Sequence, residues 1–135
     1  MKKNEKGFTL IELLAVIVIL AVIALIATPI VMNVLNQSRK KAAEDSAYGV
    51  IEAVKSYHAE KMLDETAVVS NSLTVEWNTD GTVKSPNETL KISGSKPQAG
   101  TVTIDGDTGI ITVTDLKING YTCNGTDATK ITCDN

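Results

Sequence analysis

The first part of the chain is a long uninterrupted apolar segment. From Leu13 to Ala27 every residue is apolar, and counting back to Phe8 gives 20 residues. A helix of that length spans roughly 30 Å, which matches the hydrocarbon core of a bilayer. The segment contains one formal charge, Glu12. Because a carboxylate at that depth is costly, Glu12 indicates a function that involves a partner.

The pattern then changes to that of an amphipathic helix. Apolar residues recur at three- and four-residue spacing from Ala43 to Tyr57, which gives a face that can cover a sheet. Pro29 removes a backbone hydrogen bond and predicts a kink. Gly49 costs roughly 1 kcal/mol relative to alanine in mid-helix, and so indicates a bend or a close contact. We expect the helix to continue to about Met62.

Beyond Met62, alternating apolar and polar residues predict short strands. Candidate strands lie at Ser72–Trp77, Leu90–Ser93, Thr101–Ile104 and Ile110–Thr114, with one more formed by 116–118 and 121–123 around Asn119-Gly120. The clearest hairpin turn is Asp105–Gly109, and residues 124–132 are expected to form a polar loop. The predicted fold is therefore α+β, with a long N-terminal helix packed against a small antiparallel sheet.

Composition argues against one class of partner. The formal net charge is −3, and aromatic residues make up 4% of the chain. An acidic surface lacks the cations that neutralise phosphates, and few aromatics leave few platforms for stacking bases. We therefore expect no nucleic-acid binding.

Two cysteines, Cys123 and Cys133, lie close together near the end of the sequence. With His58 as the one histidine, the chain has too few ligands of the usual type for a structural zinc site. A disulfide is the better interpretation if this part of the chain lies outside the cytosol, and two free thiols are the alternative.

The N-terminal residues carry a specific motif. The stretch from Lys6 to Leu14, KGFTLIELL, combines a basic leader, a glycine before an aromatic residue, a glutamate four residues later and a long apolar helix. It resembles the processing and methylation site of class III signal peptides, found in type IV prepilins and pseudopilins. Ala21 departs from the pattern, because many pilins have a glycine at that position. An uncleaved signal anchor is the alternative.

The resemblance implies a role for each residue of the motif. A prepilin peptidase would cut between Gly7 and Phe8, removing leader residues 1–7, and would N-methylate Phe8. In a filament, Glu12 would pair with the amine of Phe8 on a neighbouring subunit. Residues 8–35 would then form first a transmembrane helix and later the filament core, and residues 36–135 a pilin-like globular domain outside the cytoplasmic membrane. The cysteine pair matches the disulfide-bounded C-terminal region of many pilins.

A metal site is a weaker hypothesis. Asp105, Asp107 and Asp115 supply oxygen ligands, and some pseudopilins bind calcium in their C-terminal loops. The spacing departs from that of an EF-hand, however, and the downstream glutamate is missing. We interpret Asp105–Gly109 as a turn and expect no metal or other cofactor.

The resemblance implies a structural subunit rather than an enzyme. It would assemble with copies of itself into a helical type IV pilus for adhesion, motility or aggregation, using an inner-membrane assembly platform and an assembly ATPase. One alternative is a pseudopilin of a type II secretion or DNA-uptake machine. Another is a binding module that uses the helix only as a membrane anchor.

Overall fold

A single long helix, α1 (Leu10–Leu63), dominates the computed structural model, which describes residues 6–64, 71–86 and 88–135. The chain divides into two compact units, Met1–Gln37 and Ser38–Asn135. The predicted helix, from Phe8 to about Met62, therefore agrees closely with the observed one. Pro29 lies inside α1.

The described residues of the second unit form a six-stranded antiparallel sheet, in the order β2-β1-β3-β4-β5-β6. The strands are β1 (Leu73–Trp77), β2 (Val83–Ser85), β3 (Ala99–Ile104), β4 (Ile111–Ile118), β5 (Tyr121–Thr126) and β6 (Ile131–Asp134). The α+β prediction is thus confirmed, and the architecture is pilin-like.

The core lies between α1 and one face of the sheet. Ala43, Ala47, Val50 and Val54 of α1 have no exposed surface, and the buried positions of the strands alternate with exposed ones, as in Ile111–Ile118. This is the pattern of a sheet with one face on the core and one in solvent. The amphipathic half of α1 therefore does what its periodicity predicts.

Two hairpins follow from turn residues. Asp105–Gly109 joins β3 to β4 as predicted, and its backbone closes with an Asp105 N–H bond to the carbonyl of Ile110 (3.0 Å). Asn119 and Gly120 join β4 to β5 with φ of 52° and 84°, the two positive angles of a type I′ turn. Residues 116–118 and 121–123 consequently belong to two strands rather than one.

The prediction of a strand at Leu90–Ser93 is wrong. This segment lies along α1: Glu88 contacts Lys61 (2.9 Å), and the N–H of Ser95 donates to the hydroxyl of Ser46 (3.3 Å). A Cβ on Gly49 would collide with the carbonyl oxygen of Ser93. Backbone that is held against a helix in this way is not available for a strand ladder. Gly49 therefore marks a close contact.

The prediction of a polar loop at residues 124–132 is also wrong. β5 extends to Thr126 and β6 begins at Ile131, so a hairpin with a four-residue connection replaces the loop. Cys123 and Cys133 are direct partners in this hairpin and form the disulfide, and both are fully buried. The signal in the sequence was the alternation of Ile131 and Cys133 with polar residues, which is short because β6 has only four residues.

Three contacts fasten the β5–β6 hairpin to α1. Lys40 binds the carboxylate of Asp134 (2.7 Å), Tyr48 accepts a hydrogen bond from the N–H of Ile131 (3.2 Å), and Lys55 lies 3.5 Å from Asp127. The hydrogen bond to Asp134 raises the pKa of Lys40. These contacts show that β6 runs antiparallel to α1, with Asp134 near the start of the second unit.

We predict that Gly49→Ala lowers the free energy of unfolding by about 1–3 kcal/mol, because the added methyl group overpacks the contact with Ser93. Helix propensity alone would give the opposite sign, a gain of roughly 1 kcal/mol. Urea denaturation of the full chain in a nonionic detergent measures the difference. Ser56→Ala, at an exposed position of the same helix, is the control and should be neutral or slightly stabilising.

Removing the disulfide with Cys123→Ala and Cys133→Ala should destabilise the second unit by roughly 3 kcal/mol, since the bridge closes a short loop in the unfolded chain. The measurement is the shift of the urea midpoint relative to the unmodified protein under oxidising conditions. Under reducing conditions most of this difference should disappear. Equal midpoints for the two proteins under oxidising conditions would contradict the prediction.

Candidate functional site

The residues of the predicted processing and assembly site lie just before α1 and in its first turn. Thr9 precedes the helix, and its carbonyl accepts the first helical hydrogen bond, from the N–H of Leu13 (3.2 Å). The N–H of Thr9 donates to Oε2 of Glu12 (2.8 Å), and the N–H of Glu12 donates to the Thr9 hydroxyl (3.3 Å). These reciprocal bonds form a capping box, with Thr9 at the N-cap and Glu12 at the third helical position.

The capping box was missed from the sequence, although its signal is present. A threonine followed three residues later by glutamate, just before an apolar run, is the usual pattern. Glu12 is the one formal charge of the apolar segment, and the sequence-based prediction assigned it only a role between subunits. The box gives Glu12 a hydrogen-bond partner within its own chain.

The predicted cleavage site lies in open backbone. Gly7 and Phe8 precede α1 and are exposed, and an added Cβ on Gly7 would meet no atom within 4 Å. The peptide bond between Gly7 and Phe8 is therefore accessible to an enzyme. Leader residues 1–5 lie outside the described part of the chain.

Among the residues that the structure describes, none covers the apolar half of α1. Every large apolar side chain from Phe8 to Leu35 is at least 40% exposed. The most apolar window of α1 has a mean hydropathy of 3.2, and none of its residues is buried. By length and composition this helix can therefore cross a membrane. An apolar surface of this extent marks contact with lipid or with another protein.

Small side chains form a shallow groove near Pro29. Ala21, Ala24 and Thr28 line it together with Leu25 and Pro29. The Thr28 hydroxyl donates to the carbonyl oxygen of Ala24 (2.6 Å). Small residues let two apolar helices approach closely. The kink at Pro29 stays a prediction.

The three candidate metal ligands are not brought together. The Asp105 carboxylate accepts bonds from the N–H groups of Asp107 (2.9 Å) and Thr108 (3.2 Å), which lower the pKa of Asp105. Asp115 lies near the other end of β4, where its N–H donates to the side-chain oxygen of Asn124 (2.8 Å). Within residues 6–64, 71–86 and 88–135, no group of three or more His, Cys, Asp or Glu side chains could hold a metal ion.

Comparison with known proteins adds one match. Residues 2–28 match the family model of the prokaryotic N-terminal methylation motif, which is the signature shared by type IV pilins and pseudopilins. No curated protein and no solved structure matches the chain. The match covers the leader and the apolar half of α1, and the second unit lies outside it.

We predict that Asp105→Asn removes one acid-sensitive contribution to stability. A carboxyl group with a lowered pKa in the folded state stabilises the fold above its unfolded pKa, near 3.8, and loses this contribution as the pH falls through the lower folded value. The variant should therefore be less stable than the unmodified chain at neutral pH, and the difference should shrink below about pH 4. Thermal unfolding between pH 2.5 and 7 measures this.

Adding calcium provides the control, since the turn interpretation predicts equal melting temperatures with and without the ion. A rise of the melting temperature with calcium that Asp105→Asn abolishes would favour the metal hypothesis.

Proposed function

We propose that this chain, which carries the type IV pilin and pseudopilin signature, is a non-enzymatic structural subunit of a type IV pilus. The observation that carries the proposal is the exposed apolar surface of Phe8 and of the first half of α1, up to Leu35. Its part from Phe8 to Ala27 has the length of a bilayer's hydrocarbon core, and its groove of small side chains suits packing against other helices. Lipid covers this surface before assembly, and copies of the same helix cover it in the fibre.

Glu12 makes the assembly selective. In the single chain its carboxylate is held by the capping box with Thr9. Cleavage after Gly7 creates a positively charged amine on Phe8, and in a fibre this amine of one subunit pairs with Glu12 of another. Low dielectric strengthens that pairing, and an unpaired carboxylate in the apolar core would be penalised. Only a neighbour advanced by the right distance meets this condition, so the pair sets the register of the fibre.

The second unit forms the surface of the fibre in this proposal. Its sheet packs one face on α1, and the other carries polar side chains, including threonines on β3 and β4. The domain would lie outside the cytoplasmic membrane, an orientation that agrees with the Cys123–Cys133 disulfide. Adhesion, motility or aggregation would be functions of this surface, and an assembly platform with its ATPase would supply the work of extracting the subunit.

Mass spectrometry tests the processing step. The protein purified from the cell surface should lack residues 1–7 and carry one extra methyl group on Phe8. Replacing Gly7 with a bulkier residue should prevent the cut and leave the full-length chain in the membrane. Surface protein with an intact leader would contradict the proposal.

Two substitutions of Glu12 separate its two roles. Glu12→Gln keeps a side chain that can cap the helix but removes the charge, whereas Glu12→Ala removes both. We expect both variants to be processed normally and to give at least ten-fold fewer fibres, counted by electron microscopy. Normal fibre numbers with Glu12→Gln but not with Glu12→Ala would assign Glu12 to capping alone and overturn the charge pairing.

Deleting the gene for this chain distinguishes a role as a pilus subunit from a role as a pseudopilin of a secretion or DNA-uptake machine. Loss of long surface fibres is the expected result for a major pilin. Intact fibres combined with a secretion or transformation defect would instead favour the pseudopilin.

A further inference from the structure

Two Asn-Gly dipeptides lie close together in the sequence but in different parts of the sheet. Asn119-Gly120 forms the exposed turn between β4 and β5, whereas Asn124-Gly125 lies within β5. An asparagine that precedes glycine is chemically reactive, because glycine has no side chain to keep its backbone nitrogen away from the preceding side-chain amide. The same two residues therefore occur in two environments that differ in the freedom they leave for this reaction.

The reaction is an intramolecular deamidation. The backbone nitrogen of the glycine bonds to the side-chain carbon Cγ of the asparagine, and the Cγ–Nδ2 bond breaks. The proton of the backbone N–H passes through solvent to the side-chain nitrogen, which leaves as ammonia. Water then opens the cyclic imide and returns a proton to the backbone nitrogen, which gives aspartate or isoaspartate. Each product carries one carboxylate in place of a neutral amide.

At Asn119-Gly120 the structure leaves room for ring closure. Both residues are exposed, and a Cβ added to Gly120 would meet no atom of the described residues within 4 Å. The flanking strands are paired at Ile118 and Tyr121. Ring closure therefore requires a change within the two-residue turn and leaves the strand pairing intact.

At Asn124-Gly125 the same movement is opposed by the sheet. Gly125 is paired with Val113 of β4 on one side and with β6 on the other. A Cβ on Gly125 would collide with the carbonyl oxygen of Lys130. The side-chain oxygen of Asn124 also accepts a hydrogen bond from the N–H of Asp115 (2.8 Å). Ring closure at this position would have to break the local strand pairing.

The surroundings of Asn119 suit the carboxylate of the product. Arg39 of α1, Ala42 and Asn119 line one cleft with a volume of about 320 Å³. Arg39 forms no ion pair with any carboxylate within residues 6–64, 71–86 and 88–135. Nδ2 of Asn119 donates to the hydroxyl of Ser95 (2.8 Å), and a hydroxyl can rotate to donate to a carboxylate instead. A cation and a hydroxyl donor are thus available to the new charge.

We propose that Asn119 is a site of spontaneous deamidation and that the carboxylate formed there pairs with Arg39. The pair joins the β4–β5 hairpin to α1 within the second unit. Because ammonia is lost to solvent, the change is irreversible, and the protein gains one negative charge at this hairpin as it ages. The inference goes beyond the proposed pilus role and does not rest on it.

Peptide mass spectrometry of the full chain in nonionic detergent tests the modification. Samples are incubated at neutral and at mildly alkaline pH, and fragment spectra separate position 119 from position 124. Asn119 should gain the mass difference between an amide and a carboxyl group at least about ten-fold faster than Asn124, because reaction at Asn124 needs local opening of the sheet. Alkaline pH should speed the conversion, since the attacking nitrogen must lose its proton. Equal rates at the two positions in the folded protein, or no conversion of Asn119, would overturn the proposal.

The unfolded chain is the matched control for this measurement. In urea, with the disulfide reduced, both asparagines precede a glycine in a flexible chain, so their rates should become similar. A preference for Asn119 that persists in urea would assign the difference to the local sequence and contradict the role of the fold.

Asn119→Asp tests the ion pair directly. Aspartate is accepted before glycine in this type of turn. At low salt concentration the variant should melt a few degrees higher than the unmodified protein, an effect that is small because exposed ion pairs are weak and screened by salt. The same substitution in an Arg39→Gln background should give no rise. No rise in the unmodified background, or an equal rise in both, would overturn the pairing with Arg39.

Discussion

The apolar surface of the first half of α1 is the constraint on which the rest of the molecule depends. Its large side chains, from Phe8 to Leu35, are 40% to 88% exposed, and burying apolar surface is the main favourable term in folding and association. No part of the chain within residues 6–64, 71–86 and 88–135 covers them. An exposed apolar surface of this extent marks contact with lipid or with other chains.

Glu12 shows how one carboxylate can be tolerated in such a segment. It lies in the first turn of α1, where backbone N–H groups lack helical partners, and the capping box with Thr9 uses two of them, the N–H groups of Thr9 and Glu12. A charge at this helix end also meets the positive end of the helix dipole. The position at which the proposed intersubunit pairing would occur therefore also provides a local partner for Glu12 in the single chain.

In the second unit, a sheet of short strands packs on the amphipathic half of α1. The side chains of Ala43 and Ala47 are small, and Gly49 has none. The sheet and segment 88–95 can therefore approach the backbone of α1 closely. The disulfide and three contacts from Lys40, Tyr48 and Lys55 secure the edge strand β6. A short edge strand gains little from its ladder alone, so these extra contacts define its position.

Strong local patterns in the sequence determined α1, its membrane-length apolar half, the processing motif and the Asp105–Gly109 turn, because periodicity and turn chemistry act over a few residues. Tertiary structure decided the features that depend on distant contacts. Leu90–Ser93 has the alternation of a strand, but its backbone lies against Gly49. Residues 124–132 look like a polar loop, yet register with β5 turns most of them into a hairpin. The contacts of Lys40, Tyr48 and Lys55 with the β5–β6 hairpin exist only because the sheet packs on the helix, and no local pattern contains that information.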